Sequence, residues 1–273
     1  MKTATLSLHH LTAMDVSAYE LVSLAAQAGC QDVCLFTYMP ERFRAKYPLV
    51  EGSEVQHLAR EMRRLSVGCL SLEVFPLTVD ADFVEMERSL EIGASLGARY
   101  ATVHSHIEDQ QQARDRLGTL AEISGNYAIG LAVEFNPFSR VTTLAQALHL
   151  IEPFENGRVG LVLDTLHAGR GGAQSAAIDA SQQYIDFVQI SDAPAAIDQS
   201  ERWKEAMLNR MVPGAGELPL IQMLSCLKSD LKISIEVPQN TVGSSSSDAK
   251  SRVLRAVDGA RKTLWAAGFK SRG

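Results

Sequence analysis

Eight times along this chain a β-rich aliphatic run gives way to a helical pattern, and no other feature restricts its fold so severely. The runs are Thr3 to Leu8, Asp32 to Phe36, Val67 to Phe75 and Tyr100 to Val103, then four more around Glu134, Asp164, Gln189 and Glu236. Helical patterns follow them at Tyr19 to Ala28, Glu54 to Leu65, Asp80 to Leu96, Gln110 to Ser124, Thr142 to Ile151, Gly172 to Gln183, Leu218 to Lys228 and Asp248 to Ala267. Parallel strands need crossovers of this length, because no tight turn can join them. With eight units and no linker, a closed barrel is favoured over an open sheet. The expectation is an α/β chain, a single (β/α)8 barrel domain over residues 1–273. No GxGxxG follows the first run and no Walker loop is present, so nucleotide-binding folds lose ground.

The last four runs share a further property. GLAVEF, GLVLD, DFVQIS and KISIEV each carry one polar residue near the C-terminal end: Glu134, Asp164, Gln189 and Glu236. Side chains alternate between faces along a strand. Stepping back one and three residues gives Val133 and Leu131, Leu163 and Leu161, Val188 and Asp186, Ile235 and Ile233, of which seven are large aliphatics. That face is expected to pack under helices. The polar residues share the other face with Ala132, Val162, Phe187 and Ser234, and should converge at the C-terminal mouth, where such barrels place function.

Three carboxylates and an amide oxygen form an anionic, all-oxygen donor set. It suits a hard divalent cation, Mn²⁺ or Mg²⁺, with Co²⁺ as a substitute. A cation there polarises a carbonyl and its neighbouring hydroxyl and acidifies the carbon between them. Glu134 and Glu236, on either side, can then remove and return its proton. His104, closing the fourth run, is a candidate pocket-lining residue, and Glu73, His9 and His106 are weaker strand-end candidates.

Composition narrows the class further. Hydrophobic residues make up 46% and charged residues 21%, ordinary for an enzyme with a large core. The net charge of -6 disfavours nucleic acid as a partner. No apolar run is long enough for a bilayer span, and MKTATLSLHHL lacks a signal-peptide core, so a cytoplasmic location with no membrane partner is expected. Cys30, Cys34, Cys69 and Cys226 show no CxxC spacing and read as reduced core residues. The connection from Thr37 to Ser53, with Arg42, Arg44 and Lys46, is either a lid or anion-facing loop or a solvated basic one. A second long connection follows Gln189 and is expected to hold a short helix at Ser200 to Leu208, and the Ser- and Gly-rich stretch from Thr241 to Ser247 is expected to be mobile.

VEFNP at Glu134, LDTLH from Asp164 to His167, VQISDAP across Gln189, RMVPGAGE from Arg210 to Glu217 and IEVP at Glu236 occur in that order. In this the chain resembles the xylose-isomerase-like TIM barrels, which include sugar phosphate isomerases and epimerases, hydroxypyruvate isomerase, and inosose and 3-dehydroshikimate dehydratases. The resemblance covers nearly the whole barrel. It implies that Glu134, Asp164, Gln189 and Glu236 are metal ligands, that Glu134 and Glu236 are the acid/base pair, and that His167 and Arg210 contact substrate. Arg210 alternatively pairs with Glu217 or Asp192. Many epimerases of this family have histidine where this chain has Gln189, and the glutamine looks more like the hydroxypyruvate isomerase and dehydratase branches.

The implied activity is a metal-dependent isomerase or epimerase of a small sugar or hydroxy-keto acid, working by proton transfer through an enediolate. A hydride-shifting relative would need a lysine near the pocket, and Lys232 begins its strand at the opposite end. The alternative is a dehydratase of 3-dehydroshikimate or inosose type. A DNA-repair endonuclease of this barrel needs several metals and many histidines, and only His104, His106 and His167 lie in plausible reach here. A non-catalytic binding protein is the remaining alternative. Barrels of this kind often pair, so a homodimer is allowed.

Overall fold

The β-rich runs become strands that pair only in parallel. In a computed structural model, which describes residues 1–154, 157–241 and 246–271 and omits the side chains of 246 and 247, β1 (Lys2–His9), β2 (Asp32–Phe36), β3 (Gly68–Leu77) and β4 (Ala98–Ser105) lie side by side. They are followed in order by β5 (Gly130–Glu134), β6 (Val159–Asp164), β7 (Ile185–Ile190) and β8 (Leu231–Ile235). Ala4 to Leu8 of β1 pair with Leu231 to Ile235 of β8, and β1 also pairs with β2, which closes a TIM barrel. A further short strand, β9 (Phe269–Ser271), adds in parallel to the start of β1. It is too short to show in the hydrophobic pattern.

Local chemistry sets the helix ends. Ser17 caps α1 (Ala18–Gln27) in a reciprocal box with Glu20, and Gly29 leaves the helix at φ 70°. The basic loop contains α2 (Glu41–Arg44), where Arg44 reaches Glu51 at 2.6 Å. This cation is turned to a neighbouring carboxylate at the surface. α3 (Glu54–Leu65), α4 (Phe83–Ser95, capped by Asp82) and α5 (Gln110–Gly125, capped by Asp109) follow. Thr143 and Gln146 then box α6 (Leu144–Ile151).

Beyond β6 the structure departs from expectation. A helix begins at once, α7 (Thr165–Arg170), because the Asp164 side chain accepts the His167 N–H at 2.9 Å and caps it. Gly172, at φ 71°, lies between α7 and α8 (Ser175–Ser181), which holds the middle of the expected 172–183 helix. The long connection after β7 holds α9 (Arg202–Leu208), and α10 (Leu220–Ser225) and α11 (Ser246–Ala266) complete the outer layer. Most of the stretch expected to be mobile, 241–247, lies outside the described residues.

Leu131, Val133, Leu161, Leu163, Val188, Ile233 and Ile235 are all buried in the core between barrel and helices. Each contributes about 1.5–3 kcal/mol by leaving water. Asp186 does not share their face. Leu161 pairs with Ile185 but Val162 pairs with Phe187, so β7 carries Asp186 as an extra residue at a register slip. Its carboxylate lies against Gly160, where a Cβ would collide with it, and near Lys232, whose Nζ donates to the Tyr100 hydroxyl at 3.2 Å. Burial pushes the Asp186 carboxyl up to about 7, with Lys232 and Lys228 opposing. Cys34, Leu70, Ala132, Val162 and Phe187 form a separate apolar plug with Tyr100.

Candidate active site

Strand ends deliver the polar residues of the mouth. His9 closes β1, Glu73 lies on β3, His104 on β4, Glu134 ends β5, Asp164 ends β6, Gln189 lies on β7 and Glu236 follows β8. All are buried except His104, which is partly exposed. His106, just past the end of β4, is exposed.

One ligand atom each from Glu134, Asp164 and His167 lies within 4.8 Å of the others. His167, expected to contact substrate, has its ring set beside the two carboxylates by the cap on α7. Phe138 packs edge-on against that ring, 6.1 Å between centroids. Arg210 is the second surprise. Its Nη1 donates to Asp164 Oδ2 at 2.5 Å and its Nη2 pairs with Glu236 Oε1 at 2.8 Å, whereas the sequence alternative had named Glu217 or Asp192. Nε donates to the Ala206 carbonyl at 2.9 Å and Nη1 also reaches Ser191 Oγ at 3.2 Å.

Asp192 instead organises the loop that carries Arg210. Its carboxylate accepts the N–H groups of Ala193 (2.9 Å), Gly214 (3.0 Å), Gly216 (3.0 Å) and Leu218 (3.1 Å). Gly216 has no substitute there, since a Cβ would come within 2.5 Å of both Ala193 O and Asp192 Oδ1. Arg170 on α7 holds α9 by two bonds to Glu205, at 3.0 and 2.6 Å. Asp192 and Arg170 are legible in the sequence only as loop and helix-end charges.

The two glutamates of the expected acid/base pair are driven in opposite directions. Burial raises the Glu236 carboxyl above its ordinary range, and Asp164 and Glu134 add to this, while Arg210 and His9 oppose it without reversing it. Glu134 is buried too, which works against its charge. The His104 ring, bonded to its Oε2, together with His167 and Arg210, nevertheless holds it well below the usual carboxylate range. His167 is lowered by burial, and Arg210 and His104 add to this.

Charge counting bears on a metal. Glu73, Glu134, Asp164 and Glu236 crowd this buried mouth, and against these four carboxylates stand one permanent cation, Arg210, and two imidazoles, His9 and His104. Unpaired buried carboxylates are costly. In addition Gln189 Oε1 and Glu236 Oε2 are buried without a hydrogen-bond partner. A divalent cation would answer both the excess charge and the orphaned oxygens, so the donor set fits one.

Comparison with known proteins gives a consistent fold. The sequence model described as the xylose isomerase-like TIM barrel matches residues 22–259. Inosose isomerase of Bacillus subtilis is 26% identical over 157 residues, 53% of this chain and 54% of that protein. Its counterpart in Halalkalibacterium halodurans is 31% identical over 117 residues, 41% of this chain and 39% of that protein. The matches thus span about half or less of these curated relatives. A crystal structure of the IOLI protein with a binding zinc atom superposes with a TM-score of 0.75 and 21% identity over 98% of both chains. At that identity the likeness speaks to the fold alone.

Proposed function

The chain belongs to the xylose isomerase-like TIM barrel family, and from that premise we propose that it is a divalent-metal-dependent isomerase or epimerase of a small polyhydroxylated ketone or hydroxy-keto acid. The observation that carries the reading is the pair of buried glutamates, Glu134 and Glu236, at one mouth, the first clustered with Asp164 and His167 and the second tied to Asp164 through Arg210. Two carboxylates at one mouth are what removing and returning a proton at one carbon requires. The inosose isomerase relatives support the substrate class.

Glu134, Asp164, Gln189 and Glu236 are the proposed ligands, with the His167 nitrogen within reach of the first two. Oxygen donors favour Mn²⁺ or Mg²⁺, with Co²⁺ as a substitute, and an imidazole extends the range to Zn²⁺. When bound, the cation acidifies the carbon between a carbonyl and its neighbouring hydroxyl. Glu134, kept ionised by His104, accepts the carbon proton. Glu236, the second carboxylate of the pair, returns one to the enediolate. Arg210 has five N–H groups, and its four described contacts leave one Nη2 hydrogen for a substrate hydroxyl.

A dehydratase is the second reading, favoured by Gln189, where many epimerases of the family carry histidine. Residues 1–273 are proposed as one domain that works on a small molecule, in the cytoplasm, with neither nucleic acid nor membrane as a partner. Among the described residues no helix is long and apolar enough to cross a membrane.

The test is turnover of chelator-stripped, Mn²⁺-reloaded protein in deuterium oxide over ketoses, hydroxypyruvate, inosose and 3-dehydroshikimate. An isomer carrying deuterium on the reacting carbon supports the first reading. A product lighter by one water moves the chain to the second. An isomer that stays free of deuterium over many turnovers refutes proton transfer.

A further inference from the structure

We propose that His9 is a positioning residue for Glu236, its Nε2–H fixing the carboxylate oxygen that Arg210 leaves open. The proposal rests on the reading of Glu236 as an acid/base group.

The tautomer follows from the backbone. His9 ends β1 and its Nδ1 accepts the Leu11 N–H at 3.0 Å, so in the neutral ring the proton must sit on Nε2. Phe36, edge-to-face at 6.1 Å and 84°, fixes the ring plane. Nε2 is therefore a buried donor with a set direction.

Two carboxylates face it. Glu73 Oε1 lies 3.5 Å away and Glu236 Oε2 3.7 Å away, both beyond a proper hydrogen bond. They are unequal acceptors. Glu73 Oε1 already takes the hydroxyls of Ser71 and Thr102. Glu236 Oε2 takes none, and His9 Nε2 likewise has no partner. A buried donor and a buried acceptor that face each other are both satisfied by an approach of roughly 0.8 Å, the difference between 3.7 Å and an ordinary bond length.

Glu236 Oε1 is already held by Arg210 Nη2 at 2.8 Å. With His9 on Oε2, each oxygen of the ionised carboxylate has one donor and keeps a lone pair for a cation, and the carboxylate plane is set. Glu73, anchored by two hydroxyls, favours a proton on Nε2 electrostatically. None of this requires His9 to touch substrate.

The test begins with ¹⁵N-labelled protein, the His9 signals being identified by their loss in His9→Gln. The expected ring has a protonated Nε2 and a bare Nδ1, and the Nε2–H resonance moves in Glu236→Gln. In turnover, His9→Ala should lower kcat by about 10–100-fold, the usual scale for a residue that orients a metal-site or catalytic side chain, with KM within about twofold. His9→Gln, whose amide reaches the Nε2 position and still donates, should recover most of the loss. A protonated Nδ1, a resonance indifferent to Glu236→Gln, or equal impairment of the Gln and Ala variants overturns the proposal. If the wild type turns over no substrate of the proposed classes, the enzymatic reading fails, and the resonance alone decides whether His9 bonds Glu236.

Discussion

Glu205→Ala should destabilise this chain out of proportion to the size of the change, and the loss should be concentrated in the segment that delivers Arg210. Glu205 accepts two bonds from Arg170, Nε at 3.0 Å and Nη2 at 2.6 Å, with both side chains buried. Arg170 is also tied to the carbonyls of Ala195 (3.1 Å) and Pro194 (2.8 Å), so the guanidinium cannot easily swing out when its partner goes. Removing one member of a buried pair costs about 3–5 kcal/mol. The two remaining carbonyl bonds place the expectation near the lower end, about 3 kcal/mol, which is still a large share of the roughly 5–15 kcal/mol that stabilises a typical protein. Because the Ala206 carbonyl accepts Arg210 Nε, a loosened α9 takes Arg210 with it. Urea denaturation reads the global loss, and amide hydrogen exchange across residues 202–211 reads local opening. The double variant Arg170→Met/Glu205→Leu, which buries no charge, should regain most of the stability. A Glu205→Ala protein within ~0.5 kcal/mol of wild type, with unchanged exchange in that segment, would show that the ion pair does not hold α9.

Other expectations are as direct. Asp186 is held up at about 7 by burial against an ordinary 3.8, so the native state binds this proton more tightly than the unfolded chain does. The resulting penalty vanishes only well below 3.8, grows toward pH 7 and is constant above it. Asp186→Asn should therefore be close to neutral at pH 3 and stabilising at pH 8, by about 4 kcal/mol from the shift alone and about 2 kcal/mol once the water-exposed part of the side chain is discounted. Asp164→Asn keeps an oxygen to cap α7 but loses the charge, so Mn²⁺ affinity by calorimetry should fall at least about 10-fold with the fold intact; unchanged affinity would remove Asp164 from the ligand set. Arg210→Met strands Asp164 and Glu236, and its melting temperature should drop further in chelator than with Mn²⁺ present. Equal drops in both conditions would argue against a cation at these carboxylates.

The alternation of strand and helix was readable because each strand lies between a plug and a helix layer, so every run needed apolar side chains to both sides. The polar ends of β5 to β8 were readable for the same reason: Glu134 lies beside Val162, Asp164 beside Gln189 and Gln189 beside Ser234, so all four share the inner face although Asp164 and Glu236 sit two residues further along than their neighbours. Asp186 shows the limit: period-two counting assumes an unslipped ladder, and the extra residue in β7 turns that side chain inward. The start of α7 was hidden because Asp164 serves at once as strand end, cap and site carboxylate. The partners of Arg210 were beyond reach, as Asp164 lies 46 residues away and only the closed barrel brings them together. His9 and Glu73 stood out only as polar residues at strand ends, and their mutual approach depends on β1 lying against β2 and β2 against β3.

The four amides gathered on Asp192 have a consequence for how such a protein can change. Chain leaves the barrel at Ala193 and returns by Gly214 through one bracket, and Arg170 pins the excursion again at Ala195 and Glu205. What lies between those pins behaves as a cassette. Between Ala195 and Glu205 its length and composition can be rewritten, or grafted from another barrel, while Arg210 and the carboxylates below keep their places. Selectivity for a new substrate can then be acquired without reopening the chemistry, and the residue that makes this possible never needs to meet the substrate.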